Sequence, residues 1–298
     1  MATQPELQPT AAGLPELDRT RVLVPIIRGQ EAAPLLSLGS AIARHASTQG
    51  VLLGLVEIPA SHVGLQMAVA KRSRELLSWI AAADYECRSV KRGQLTLQTR
   101  FVANVARGIR EAALETLCDT VLLEWPSQKS PRRCLLEALL RSLDIHPPAK
   151  LVLVRPDPAE KGPLAPRSGL APLRGGPNAR LALAVAAALA AQAEARLTVM
   201  HVYDSSHHRD RAQREAAVFH DLIQGVSALS PVVREVIAPE PAALLLRVGS
   251  EYDAVVMGAH VDSGRTGILV GSTLKSVVNG MPKTLILTRS TGPETVAA

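Results

Sequence analysis

The residues of this chain best suited to gripping an anion lie in VVMGAHVDSGRTGILVGSTLKSVV, Val255 to Val278. An apolar run delivers Gly258, a stretch with Gly264 and Gly267 follows, and Gly271-Ser272-Thr273 opens a run of helical period. Glycine lets backbone N–H groups turn toward a ligand, and a helix start presents unpaired N–H groups with a partial positive charge. Ser272 and Thr273 can cap that helix and donate hydroxyls to a phosphate. The spacing is neither GxxxxGKS/T nor GxGxxG, and the same glycines would also serve a plain turn.

Other reactive side chains make no recognisable constellation. His201, His207, His208, Asp210 and His220 span a strand, a loop and a helix without ligand spacing, so a solvated polar loop is expected and no metal. There is no GxSxG elbow, and no cysteine has a histidine nearby in sequence. Cys118 and Cys134 are expected as small core residues, and with Cys87 they form no disulfide framework, which suits a reducing compartment. No catalytic residue is expected.

The elements that must position the glycines are read from periodicity. With 298 residues, 47% hydrophobic but only 2% aromatic, the chain can build two aliphatic cores. Val22–Ile27, Val51–Ile58, Leu95–Val102, Thr120–Trp125 and KLVLVRP read as strands. Between them run helical segments over Ala32–Ser47, Val69–Asp84, Asn104–Leu117 and Arg133–Ser142. After Pro156, DPAEKGPLAPRS is rich in proline and charge, cannot pack, and is expected as a linker over 157–167. The pattern then restarts. Gly169–Leu173 leads to a helix begun by Pro177 and Asn178 and running to Glu194, followed by Leu197–Tyr203 and a helix over Gln213–Val226. Val232–Ile237, a helix over Pro241–Gly249, Ala254–Gly258, a glycine-bearing loop, a helix from Ser272 and KTLILTR complete it.

The halves share order and wording, VLVPIIRG with GLAPLRGG and KLVLVRP with KTLILTR, which marks an internal duplication. Pro25 and Pro172 cannot donate to a ladder and are placed at the carboxyl ends of their strands, where a ligand crevice would open. The expected domains are 21–156 and 168–290, with polar tails at 1–20 and 291–298. The first 20 residues lack a signal-peptide pattern, and Leu181–Ala191 is too short and Ala-rich for a bilayer that needs about 20 apolar residues. The net charge of +6 is scattered without interleaved aromatics, so no nucleic acid is expected. A soluble, cytoplasmic protein without membrane insertion is expected.

On these residues the chain resembles the universal stress protein family, whose loop after the fourth strand reads G-x2-G-x9-G-S/T. Gly258, His260, Ser263, Gly264, Gly271 and Ser272 fall at the matching positions. The resemblance covers both halves and implies two tandem five-stranded parallel-sheet sandwiches with helices on both faces, an adenine nucleotide α-hydrolase-like, Rossmann-like α/β fold. It further implies an intramolecular pseudo-dimer joined near Leu151–Val154 and Leu285–Thr288, with a further homodimer compatible with it. It also implies ATP or a related adenine nucleotide, with Mg²⁺, in the second half. The implied site is Pro172, Arg174, Val202, Met257, Gly258, His260, Gly264, Gly267, Gly271, Ser272 and Thr273, with His201 and Val202 of MHVYD as the wall beside adenine.

The departures bear on function. Val261 stands where the motif has its second glycine, losing the positive-φ option, and Asp262 places a carboxylate near the phosphates. The acidic residue that binding members place after the first strand is replaced by Arg174, and by Ile27 in the first half. There, Glu124 and Glu137 take the positions of Gly258 and Gly271, Lys129, Arg132 and Arg133 read as a solvated loop, and Trp125 is expected to pack over the crevice. The first half thus reads as a degenerate partner. The expected function is a non-catalytic stress-response or regulatory protein. The alternative is a ligand-free interaction module, for instance a regulatory partner of a membrane transporter, with its protein partner unknown. An enzyme related to adenine-nucleotide α-hydrolases would need a signature such as SGGxDS, which RGGPNA matches only superficially.

Overall fold

The computed structural model describes residues 20–27, 32–58, 65–86, 95–126, 134, 136–138, 150–174, 176–204, 209–259, 261–264 and 267–290. The first half contributes β1 (Val22–Ile26), α1 (Ala32–His45), β2 (Gly50–Glu57), α2 (Leu65–Glu86), β3 (Leu95–Val102), α3 (Val105–Glu115), β4 (Thr120–Glu124) and β5 (Lys150–Arg155). The second contributes β6 (Ser168–Leu173), α4 (Gly176–Ala193), β7 (Arg196–Asp204), α5 (Arg209–Gln224), β8 (Val232–Ala238), α6 (Pro241–Gly249) and β9 (Ala254–Gly258). It continues through β10 (Val261–Gly264), β11 (Gly267–Val270), α7 (Ser272–Gly280) and β12 (Thr284–Arg289). Of the fourth first-half helix expected over Arg133–Ser142, only helical fragments at 134 and 136–138 fall within the described residues.

Central strands such as VLVPI and KLVLVR are aliphatic at nearly every position because both faces are covered. Alternation then sorts them. Val22, Val24 and Ile26 join α1, α2, α4 and α5 in one core, whereas Leu23 joins α3, α6 and α7 in the other. The two five-stranded sheets are one sheet, in the order β3-β2-β1-β4-β5-β12-β9-β6-β7-β8. Its join is antiparallel, pairing Leu285 with Arg155, Leu287 with Leu153 and Arg289 with Leu151. The last strands named from the sequence are therefore the seam. Beside it, α1 and α4 pack together, and Gln192 Nε2 donates to the Ser37 carbonyl at 2.9 Å. Leu181–Ala190 of α4 is buried at every position, which explains an apolar helix without a polar stripe. Among the described residues no helix is long and apolar enough to cross a membrane.

The connection over 157–167 corrects the expectation that it cannot pack. Leu164 is 8% exposed within the α1-α4 core, and its N–H donates to Ser37 Oγ at 2.8 Å. Asp157 is buried too, its N–H donating to Thr284 Oγ1 at 3.0 Å and its carboxylate lying 3.7 Å from Lys283 Nζ. One leucine and a few anchored amides hold a proline-rich segment that composition marks as unable to fold. The 1–19 and 291–298 tails lie outside the described residues.

Leu164→Ala should lower the stability of the whole chain by about 2–4 kcal/mol in urea unfolding. A change within about 0.5 kcal/mol would mark 157–167 as an unpacked tether.

Candidate functional site

In each half the sheet forks at its carboxyl end. β6 pairs with β9 only at Gly169–Ala254 and Leu170–Val255, and β1 with β4 only at Val22–Thr120 and Leu23–Val121. Pro172 and Pro25 lie just past these last rungs, where a missing N–H breaks no bond to the departing strand. This is the topological switch point at which open α/β sheets take ligands.

At the second-half fork lies a cavity of about 480 Å³. Pro172, Arg174, Val202, Met257, Gly258, Gly271, Ser272 and Thr273, all named from the sequence, line it. Sequence reasoning missed Met200, Pro241, Leu245, Ala259 and Leu274, which also line it, along with Leu173, Asn178 and Ala179. Two of these were legible. Met200 shares the face of Val202 by strand alternation, and Pro241 opens α6 at the usual first-turn position for proline. The cavity thus meets the N-terminal turns of α4, α6 and α7. None of its described lining residues is acidic, and Arg174 is exposed with no acidic partner among the described residues. The site therefore favours an anion.

The two key glycines have different reasons. A Cβ on Gly258 would lie 2.7 Å from the Asn178 carbonyl carbon and 2.8 Å from its oxygen, so the approach of α4 to β9 requires glycine there. Gly271 has φ −58° and ψ 156°, ordinary for any residue, and a Cβ there would meet nothing within 4 Å among the described residues. Neither its conformation nor packing against the described residues asks for glycine at 271; what its missing side chain does is leave the start of α7 open to the cavity.

Several expectations are corrected by local geometry. The N-cap of α7 is Gly271, without a side-chain cap bond, so Ser272 and Thr273 are the first helical residues and their hydroxyls are not caps. Asn178 lies inside α4 and is not its start. Its Oδ1 accepts from the Ser290 N–H at 2.7 Å, and its carbonyl accepts from Thr288 Oγ1 at 3.1 Å, tying α4 to the end of β12. The glycine-bearing segment after Gly258 is a hairpin, with Val261 opposite Val270, Asp262 opposite Leu269 and Gly264 opposite Gly267. Extended pairing accommodates a β-branched valine, so the lost positive-φ option carries no penalty at 261. His260 lies outside the described residues, as do the side chains of the hairpin.

His201 is not a cavity wall. The alternation that aims Met200 and Val202 at the cavity turns His201 into the opposite core, fully buried, with Nδ1 2.8 Å from the Leu173 carbonyl and its ring 5.1 Å from Phe219. His220 lies on α5 with Nε2 3.2 Å from Glu235 Oε1, and His207, His208 and the Asp210 side chain lie outside the described residues. Among the described residues no group of three potential ligands gathers. Burial pushes the Cys118 thiol up, which keeps it protonated, whereas Cys134 is exposed rather than a core residue. Cys87 lies outside the described residues.

The first-half fork carries other residues at the corresponding rungs. Glu124 pairs with Val154 and the Trp125 N–H donates to the Val154 carbonyl at 2.7 Å, as Gly258 pairs with Thr288 and the Ala259 N–H donates to the Thr288 carbonyl at 2.9 Å. A buried indole therefore stands at the counterpart of the Ala259 methyl that lines the cavity. Glu137 lies in the helical fragment 136–138, and Lys129, Arg132 and Arg133 lie outside the described residues.

The family model of the universal stress protein family matches residues 170–289. A universal stress protein domain therefore occupies the half that holds the open cavity. A universal stress protein from Archaeoglobus fulgidus DSM 4304 is 12% identical with a TM-score of 0.54, covering 92% of this chain and 97% of its own. The cytoplasmic domain of a prokaryotic cation chloride cotransporter is 14% identical with a TM-score of 0.53, covering 93% and 97%. A functionally unknown protein from Pseudomonas aeruginosa PAO1 is 15% identical with a TM-score of 0.52, covering 91% and 93%. These likenesses extend the fold across both halves. No curated protein matches the sequence.

Gly258→Ala should destabilise the protein by about 1–3 kcal/mol, since a methyl there meets backbone. Gly271→Ala should stay within about 0.5 kcal/mol of the parent in the same thermal melts. Iodoacetamide at neutral pH should label Cys134 quickly and leave Cys118 unmodified until the protein unfolds, as read by peptide mass spectrometry.

Proposed function

We propose, from the universal stress protein domain at residues 170–289, that this chain is a non-catalytic stress-response or regulatory protein whose second half binds ATP or a related adenine nucleotide. The observation that carries this reading is Gly271, a glycine that neither its conformation nor its packing against the described residues explains and that leaves a helix start open to a cavity without described carboxylates. The free N–H groups of the first α7 turn and the hydroxyls of Ser272 and Thr273 suit phosphate oxygens, and Arg174 adds a positive charge at the rim. The apolar wall of Met200, Val202, Leu245 and Met257 suits a flat base. With no carboxylate among the described lining residues, Mg²⁺ would arrive on the nucleotide's own phosphates.

A second reading, a ligand-free interaction module regulating a membrane transporter, is supported by the likeness of fold to the cytoplasmic domain of a cation chloride cotransporter. Asp262, a carboxylate in the β10 strand that follows Gly258, also favours it.

Calorimetric titration with Mg²⁺-ATP should give saturable binding that Gly271→Ala keeps. Gly271→Glu should weaken it roughly 1,000-fold, the effect of about 4 kcal/mol between charges about 4 Å apart near a protein surface. No heat and no thermal shift at millimolar ATP would overturn the nucleotide reading in favour of the interaction module.

A further inference from the structure

The α7 helix is held unevenly. At the cavity its N-cap makes no side-chain bond. At the other end, about 13 Å away for nine residues at 1.5 Å each, it is clamped by a residue from the other half of the chain. Arg155, the last residue of β5, sends Nη1 to the Val278 carbonyl and Nη2 to the Met281 carbonyl, with a further contact from Nη2 to the Lys283 carbonyl at 3.4 Å. The Val278 carbonyl is one that the last helical turn leaves without an intrahelical partner, the Met281 and Lys283 carbonyls belong to the turn beyond it, and a cation there complements the helix dipole. The antiparallel seam sets the position, because its register pairs Arg155 with Leu285, immediately after the turn out of α7. Asp157 and Lys283, 3.7 Å apart, and the Asp157 N–H on Thr284 Oγ1 close the same corner. Burial lowers the Arg155 pKa, with Asp157 acting in the opposite direction.

We infer that Arg155 is a positioning residue for the second-half cavity: the first half, through this guanidinium, holds α7 so that its N-terminal amides stay aimed at the anion. The effect on affinity rests on the nucleotide reading above, whereas the effect on α7 does not. A planar fork that reaches several carbonyls is a task that lysine, with one compact ammonium, performs only in part. The first half thus acts on the site without lining it.

The test compares the full-length protein with Arg155→Met and Arg155→Lys, at a temperature where circular dichroism shows all three folded. Hydrogen exchange at the hydrogen-bonded α7 amides Lys275–Asn279 should quicken in Arg155→Met while β1 and β7 keep their protection, and Arg155→Lys should recover part of it. Mg²⁺-ATP affinity should fall about 2- to 30-fold in Arg155→Met, the usual range for a residue coupled to a site it does not touch, and less in Arg155→Lys. A lower melting temperature with unchanged α7 exchange and unchanged affinity would overturn the inference and leave Arg155 a purely structural clamp. If the parent protein takes no ATP, the nucleotide reading fails by itself. The exchange comparison then decides the positioning role alone.

Discussion

The antiparallel pairing of β5 with β12 is the constraint on which the other elements depend. Each half by itself would end in an apolar edge strand, KLVLVR or TLILTR, with unpaired N–H and C=O groups. Pairing them from Leu151–Arg289 to Arg155–Leu285 removes both edges and fixes the register in which everything beyond is built. Because a strand's side chains alternate, that register also sends Val152, Val154 and Ile286 to one face and Leu151, Leu153, Leu285 and Leu287 to the other. Both cores consequently run through both halves, and the α1-α4 contact with its Gln192–Ser37 bond follows from the same alignment.

The two halves carry forks of similar geometry and unlike residues at their last rungs. Proline sits past the last rung in each, so the backbone opening is common to both. What differs is a pair of side chains. Gly258 and Ala259 leave room at one fork, and Glu124 and Trp125 stand at the other. At the position where the second half has the methyl that lines a cavity of about 480 Å³, the first half has a buried indole, without any change in strand order.

Much of this was legible because it rests on periodicity. Leu95–Val102, Pro241–Gly249 and Ala254–Gly258 have the bounds that their patterns indicate, and Gly258, Gly271, Ser272 and Thr273 line the cavity, whereas Gly264 and Gly267 belong to the hairpin. The misread parts are those where a local signal competes with a contact distant in sequence. The 157–167 segment reads as unstructured because nothing local shows that Leu164 meets Ser37, 127 residues away. The β10-β11 hairpin is short and glycine-bounded, so its four-residue strands carry too little alternation to stand out from a loop. Asn178 has the chemistry of a helix cap, yet its side chain is taken by the Ser290 N–H across the fork. His201 and Val202 are named together from the family resemblance, yet alternation along a strand brings only Val202 to the cavity.

The seam also sets an order of events during synthesis. Arg155 and Leu285, partners across the sheet, are 130 residues apart, 285 minus 155. At about 5–20 residues per second, roughly 6–26 s pass between the emergence of β5 and that of the strand that covers it. For that interval the nascent first half displays an apolar, unpaired edge, the kind of surface that other chains can capture. The second half has the opposite history. Its β9 and the waiting β5 both receive β12, so a single late strand closes two edges at once. A ribosome pause between β5 and β12 would therefore lengthen the aggregation-prone stage, and a chaperone acting on this chain would find its natural substrate there.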